Sequence, residues 1–175
     1  MRLVTVLCTL GCLLFSQSLY ADDVSVEYKI KAGYLYNFTK FVTWVDDNSE
    51  SFNLCILGDD PFSDLIDPIE QQSVMGRPIK LFRLGNRFGS KNQPHCHILF
   101  VSTSIADTQN LQVVDNTLVV GESAGFIAQG GMVGFVNKLG KIKLQINLNA
   151  ITKHGLKISA KLLEVADVIK DDSSE

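Results

Sequence analysis

The chain has 175 residues, of which 46% are hydrophobic and 20% charged, with a formal net charge of −3. That length suits one domain, and a chain near this size buries about 70% of its unfolded surface without metal or a dense disulfide scaffold. The high apolar content excludes intrinsic disorder, and the lack of a basic excess argues against a nucleic-acid partner.

Residues 1–21 read as a cleavable export signal: Arg2, a thirteen-residue apolar stretch over 3–15, a polar turn, and a small residue at Ala21. Such a stretch reaches only about 20 Å as a helix, short of a bilayer core of about 30 Å. The expected mature domain spans 22–170, followed by a disordered acidic tail over 171–175, and its expected location is the periplasm. Only Cys55 and Cys96 remain after removal of the signal. An even pair in an oxidising compartment points to a disulfide, with two buried free thiols as the alternative.

Apolar positions recurring at three to four residues predict one amphipathic helix over 26–45, with Tyr34, Phe38, Phe41 and Trp44 as an aromatic stripe for a core or a dimer interface. Residues 52–57 read as a strand, 62–72 as a helix begun near Pro61, and 78–84 as a strand. Residues 97–102 and 117–120 are continuous apolar runs, the pattern of strands buried on both faces of a parallel sheet. A short helix is expected over 106–113. Residues 132–136 and 141–146 read as a hairpin with Gly140 at its turn, and 148–169 as a long final helix with Lys153, Lys157 and Lys161 along one face. Strands alternating with helices define an α/β single-domain sandwich. Its sheet is mixed and mostly parallel, with a C-terminal antiparallel hairpin and flanking helices.

Two local patterns mimic catalytic or metal sites. Gly121-Glu122-Ser123-Ala124-Gly125 fits the Gly-x-Ser-x-Gly nucleophile elbow and follows a predicted strand. His154 is the only histidine downstream, and no Asp or Glu lies between Ser123 and His154, so the acid–base partners are missing in the order that fold uses. The glycines then simply flank a strand end. His95 and His97 share a side of an extended chain, but no second His or Cys pair has the spacing of a tetrahedral site. No cofactor motif is present: neither Gly-x-Gly-x-x-Gly nor Gly-Lys-Ser/Thr occurs, and Asp59 and Asp60 after the first strand would repel a pyrophosphate. On the residues alone this is an exported, non-enzymatic α/β domain.

Several segments in fixed order resemble the YfiR family of periplasmic proteins. They are Lys31-Ala32-Gly33-Tyr34-Leu35-Tyr36-Asn37-Phe38 running to Trp44, Leu54-Cys55-Ile56-Leu57-Gly58-Asp59-Asp60-Pro61-Phe62, Gly76-Arg77-Pro78-Ile79, Cys96-His97-Ile98-Leu99-Phe100-Val101-Ser102, Gly130-Gly131-Met132-Val133-Gly134-Phe135 and Gly155-Leu156-Lys157-Ile158-Ser159. The resemblance covers about residues 29–166. It implies a regulator, often a homodimer, that binds the periplasmic sensor domain of a membrane diguanylate cyclase and holds it inactive, lowering cyclic di-GMP and disfavouring biofilm. It also implies sequestration by an outer-membrane peptidoglycan-associated lipoprotein, and a bond between Cys55 and Cys96. Partner contacts are implied at Gln145, Ile151 and Lys153. The chain departs from described members in lacking a second cysteine pair near 130–135, and in carrying Val45 where proline is common and Gln145 where an acidic residue is frequent. A second reading, from the residues themselves, is a small-ligand sensor or carrier with a pocket beside Tyr34, Phe38 and Trp44.

Overall fold

The computed structural model describes residues 18–45, 47–89, 93–109, 111 and 113–169, with side chains from residue 24 onward. The expected signal peptide falls mainly, and the acidic tail wholly, outside the described residues. Helix α1 (Ser18–Phe41) buries Lys31, Leu35, Phe38 and Thr39, which recur at helical spacing. Helix gives way to strand sooner than the periodicity predicts. Strand β1 (Val42–Trp44) pairs antiparallel with β9 (Leu156–Ile158), and the Ser159 N–H donates to the Phe41 carbonyl at 2.8 Å. Two residues with high strand propensity, Val42 and Trp44, thus gain a partner that helical geometry would deny them.

Among the described residues the main sheet has eight strands in the order β10-β8-β7-β6-β5-β2-β4-β3. Its centre is parallel: β2 (Phe52–Leu57) lies between β4 (Arg77–Gly85) and β5 (Ile98–Val101), and β6 (Leu118–Gly121) and β7 (Val133–Lys138) continue it. Every residue of β2, β5 and β6 is buried, as the unbroken apolar runs predict. β7 turns back antiparallel into β8 (Lys141–Asn147) through Leu139 and Gly140, both at positive φ, the geometry that matches the twist of a two-residue hairpin. The mixed, mostly parallel sheet with a late antiparallel hairpin is the architecture expected. Two further pairings extend it: β10 (Asp167–Ile169) runs parallel along the far edge of β8, and β3 (Ser73–Val74) caps the start of β4.

Three predicted helices are corrected. Residues 62–72 form two 3₁₀ turns, Ser63–Leu65 and Asp67–Gln71, because Pro68 has no N–H for an α-helical bond and disfavours helix at Asp67. The described residues of 106–113 form no helix; Asp107 accepts the Gln109 N–H, an Asx turn that competes with one, and Thr108 bonds Gln129 at 2.6 Å. The long helix over 148–169 is four pieces: α2 (Leu148–Lys153), β9, α3 (Ala160–Leu163) and β10. Gly155, at φ +77°, stops α2, and the Ser159 hydroxyl caps α3 by accepting from the Lys161 N–H. Lys153, Lys157 and Lys161 therefore lie on three different elements and form no helical stripe.

One face of the sheet carries Phe100 and Phe135, whose rings meet Phe62 and, from α1, Tyr34 and Phe38 at 4.8–6.3 Å. The aromatic stripe is thus core. The other face is covered by the connection between β6 and β7. There the Phe126 ring lies so close over Gly121 and Gly131 that a Cβ at either would come within 2.4 Å of it. The Cys55–Cys96 disulfide, with Cα atoms 5.8 Å apart, ties β2 to the chain just ahead of β5.

Candidate partner-binding face

The hairpin β7–β8 reaches beyond its neighbours: β6 pairs with β7 only at Val133 and Gly134, and β10 with β8 only from Gln145 onward. Alternation along the strands assigns each side chain a face. Phe135, Leu144 and Ile146 turn inward and are buried. Gly134, Val136, Lys138, Lys141, Lys143 and Gln145 share the opposite face, with Asp167 registered beside Gln145. Gln145 is half-buried and lines two adjoining hollows. One, of about 400 Å³, is walled by Glu122, Ser123 and Gly125 together with Val136 and Asn137. The other, of about 300 Å³, is closed by Ile127, Ala128 and Ile169. The face is concave, with a lysine-rich rim in which Lys138 bonds Asp167 at 2.6 Å and holds that exposed carboxyl below its ordinary pKa.

The other two implied contact residues fare differently. Ile151 has no exposed surface and belongs to the core, held there because Asn147 caps α2 by accepting the Ala150 N–H at 2.9 Å. It is corrected from contact residue to core residue: the inward face of α2 is the one packed against the domain. Lys153 stands exposed at the end of the same helix. Tyr34, Phe38 and Trp44 do not frame a ligand pocket either, since Phe38 and Trp44 are buried and Tyr34 packs against Phe38 and Phe135.

A buried ionic cluster fastens α1 to the edge of the candidate face. The Lys31 ammonium lies 2.5 Å from both Glu27 and Glu122, and 4.4 Å above the Tyr28 ring. Tyr28 donates to Glu122 at 3.2 Å. Burial, and after it the charges of Glu122 and Glu27, push the Tyr28 hydroxyl well above the ordinary phenol range. Asn137 on the hairpin donates to Glu27 at 3.3 Å. Sequence reasoning missed this cluster, although one signal was present: Lys31 occupies the buried stripe with Leu35 and Phe38, and a cation there needs an anion.

Glu122 is thereby committed, which bears on the serine motif. His154 lies 3.4 Å from Asp115 and lines a separate cavity with Thr108 and Gln129, away from the hollow that holds Ser123. Gly121 is glycine because Phe126 needs the space. The histidine pair is not a ligand set either. His97 is fully buried, with Nδ1 accepting the Asn53 N–H at 2.8 Å and Nε2 donating to Asp47 at 2.9 Å, whereas His95 is exposed. Burial holds His97 below its ordinary pKa against the pull of Asp47. Burial also opposes ionisation of Asp47, but bonds from the Ser49 hydroxyl, Arg77 and the Ser49 N–H outweigh it and keep that carboxyl well below the carboxylate range. Among the described residues no group of three His, Cys, Asp or Glu side chains is placed to hold a metal ion, and no helix is long and apolar enough to cross a membrane.

No curated protein matches the chain. A family model described as YfiR/HmsC-like matches residues 28–167, which takes in α1 from Tyr28 and strands β1 to β9 and ends at the first residue of β10. By that match over most of its length, the chain belongs to the YfiR/HmsC-like family.

Proposed function

We propose that this protein is a periplasmic regulator that binds the periplasmic sensor domain of an inner-membrane diguanylate cyclase and holds it inactive, lowering cyclic di-GMP. Membership of a family that acts in regulating cyclic di-GMP signalling carries the reading. The concave face around Gln145 is the docking surface we assign to it, with Lys153 as a peripheral contact. Contact surfaces work best when their central groups are held by rigid elements, and Gln145 sits on a strand paired on both sides. Regulation here means a change in the cyclase's equilibrium between active and inactive forms, so the protein needs no catalytic group. In the same proposal a homodimer is the working form, and a peptidoglycan-associated lipoprotein competes for it.

The test is intracellular cyclic di-GMP in a strain lacking the protein, in that strain complemented with it, and in that strain complemented with Gln145→Arg or Lys153→Glu. The expected result is a rise on deletion that the wild type reverses and Gln145→Arg does not, at equal protein level. An unchanged level on deletion overturns the cyclase reading. Full complementation by Gln145→Arg moves the contact to another face.

A further inference from the structure

We propose that the groove on the outer side of α1 is a binding site for a medium-chain aliphatic carboxylate. The groove, of about 340 Å³, lies between α1 and the two 3₁₀ turns. Ala32, Gly33 and Tyr36 form one wall, and Leu65, Ile66 and Ile69 the other. Its size falls within the range of small-molecule sites, about 300–1,000 Å³. Glycine weakens a helix at an interior position, so Gly33 calls for a reason. No neighbour demands it: a Cβ there would meet nothing within 4 Å. What the missing side chain provides is depth, because a larger residue at 33 would project into the groove.

Charge specifies the occupant. The protein is acidic overall, yet one lysine lines this groove and a second stands over the ring of a wall residue. Lys29 is part of the lining, and the Lys40 ammonium lies 4.3 Å from the ring centre of Tyr36. None of the three carboxylates of the facing turns lines it: Asp64 is outside the lining, Asp67 bonds Arg83 at 2.7 Å, and Glu70 accepts the Leu81 N–H at 3.0 Å. From Lys29 to Tyr36 the helix rises about 10 Å, which suits an alkyl chain of roughly eight to ten carbons with its carboxylate at a lysine. This inference does not rest on the cyclase reading, since it concerns the isolated protein.

The experiment is calorimetric titration of the purified protein with decanoate below its micelle concentration, at low salt. One saturable site is expected, weakened at least about tenfold in Gly33→Leu and about fivefold in Lys29→Glu. Decanol is expected to bind less tightly than decanoate and to be indifferent to Lys29→Glu. Leucine favours helix over glycine, and circular dichroism checks that Gly33→Leu is folded. Lys29→Glu, at an exposed position, gives a second variant that keeps the core intact. Absence of a saturable site, or unchanged affinity in Gly33→Leu, overturns the proposal. Decanol binding as tightly as decanoate overturns the carboxylate assignment. Self-association that Gly33→Leu abolishes, without decanoate binding, gives the groove to a second copy of the chain and overturns it too.

Discussion

Replacing Lys31 by methionine keeps the length of the side chain and removes one charge from the cluster that fastens α1. The consequence falls on Glu122, whose side chain is 4% exposed; Glu27, at 30%, can turn to solvent. Leaving a buried carboxylate without its cation costs about 3–5 kcal/mol, against a total stability of about 5–15 kcal/mol for a domain. Glu122→Leu is milder, because Lys31 keeps Glu27 at 2.5 Å and the main loss is the Tyr28 bond, about 1–2 kcal/mol. The double variant removes both buried charges together and is expected to lose only about 1–2 kcal/mol. The two sites are then coupled by at least about 2 kcal/mol. Urea denaturation measures this directly, with Trp44, the single tryptophan, as reporter: it is buried, with its ring 4.8 Å from that of Phe52. A loss below about 1 kcal/mol in Lys31→Met, or single effects that add to within about 0.5 kcal/mol, would refute the claim that Lys31 neutralises a desolvated Glu122.

Three further outcomes are expected. Reducing Cys55–Cys96, or replacing both by alanine, opens a link spanning 41 residues and lowers stability by about 4 kcal/mol in the chain-entropy model, read as a lower denaturation midpoint. Stability also falls with acid in two stages. His97 is held below its ordinary value of 6.5, so its contribution is complete above that pH and is lost as pH falls towards the lowered folded value. Asp47, held below 3.8, keeps its contribution above that pH and loses it below. Melting temperature against pH should show both limbs, and His97→Gln should abolish the upper one; a wild-type profile flat from pH 7 to 5 would contradict the buried neutral imidazole. Lastly, Ile151→Val should cost about 0.5–1.5 kcal/mol and Ile151→Asp should prevent folding, whereas Lys153→Glu stays within about 0.5 kcal/mol of wild type.

The parallel centre of the sheet was legible because burial on both faces leaves unbroken apolar runs, as in residues 52–57 and 97–102, and few other structures need them. The hairpin was legible from Gly140. What could not be read was decided by pairing between distant segments. Residues 42–44 have periodicity that fits a helix, and only the arrival of 156–158 makes a strand the better solution. Residues 148–169 look like one helix because Ile151, Ile158, Leu162 and Val165 fall at helical spacing; in fact Val165 is exposed, and Gly155 marks the break. The same misreading bears on the site. The family resemblance implied Ile151 as a contact, on a helix predicted to run over 148–169, and it is core on the short helix α2 ahead of β9. The strand pattern supplied the hairpin register that sets Gln145 opposite Gly134, while its role as a contact came from the family resemblance alone.

The Gly-x-Ser-x-Gly pattern shows why local motifs mislead in a fold of this kind. Both the esterase elbow and this connection leave a buried strand at its carboxyl end, and both need glycine where another group comes close. In the elbow, glycine gives a nucleophile its exposed turn. Here Gly121 and Gly131 accept the two sides of the Phe126 ring, five residues from each. The ring anchors a connection that would otherwise be held mainly by backbone bonds, such as Gly131 N–H to the Phe126 carbonyl at 2.9 Å. With that anchor set, Glu122 is delivered to Lys31 on one side of the sheet and Ile127 to Gly134 on the other, beside Gln145. The glycines thus serve packing: they let one phenylalanine fix an eleven-residue crossing that reaches the helix clamp at Glu122 and the proposed docking face at Ile127.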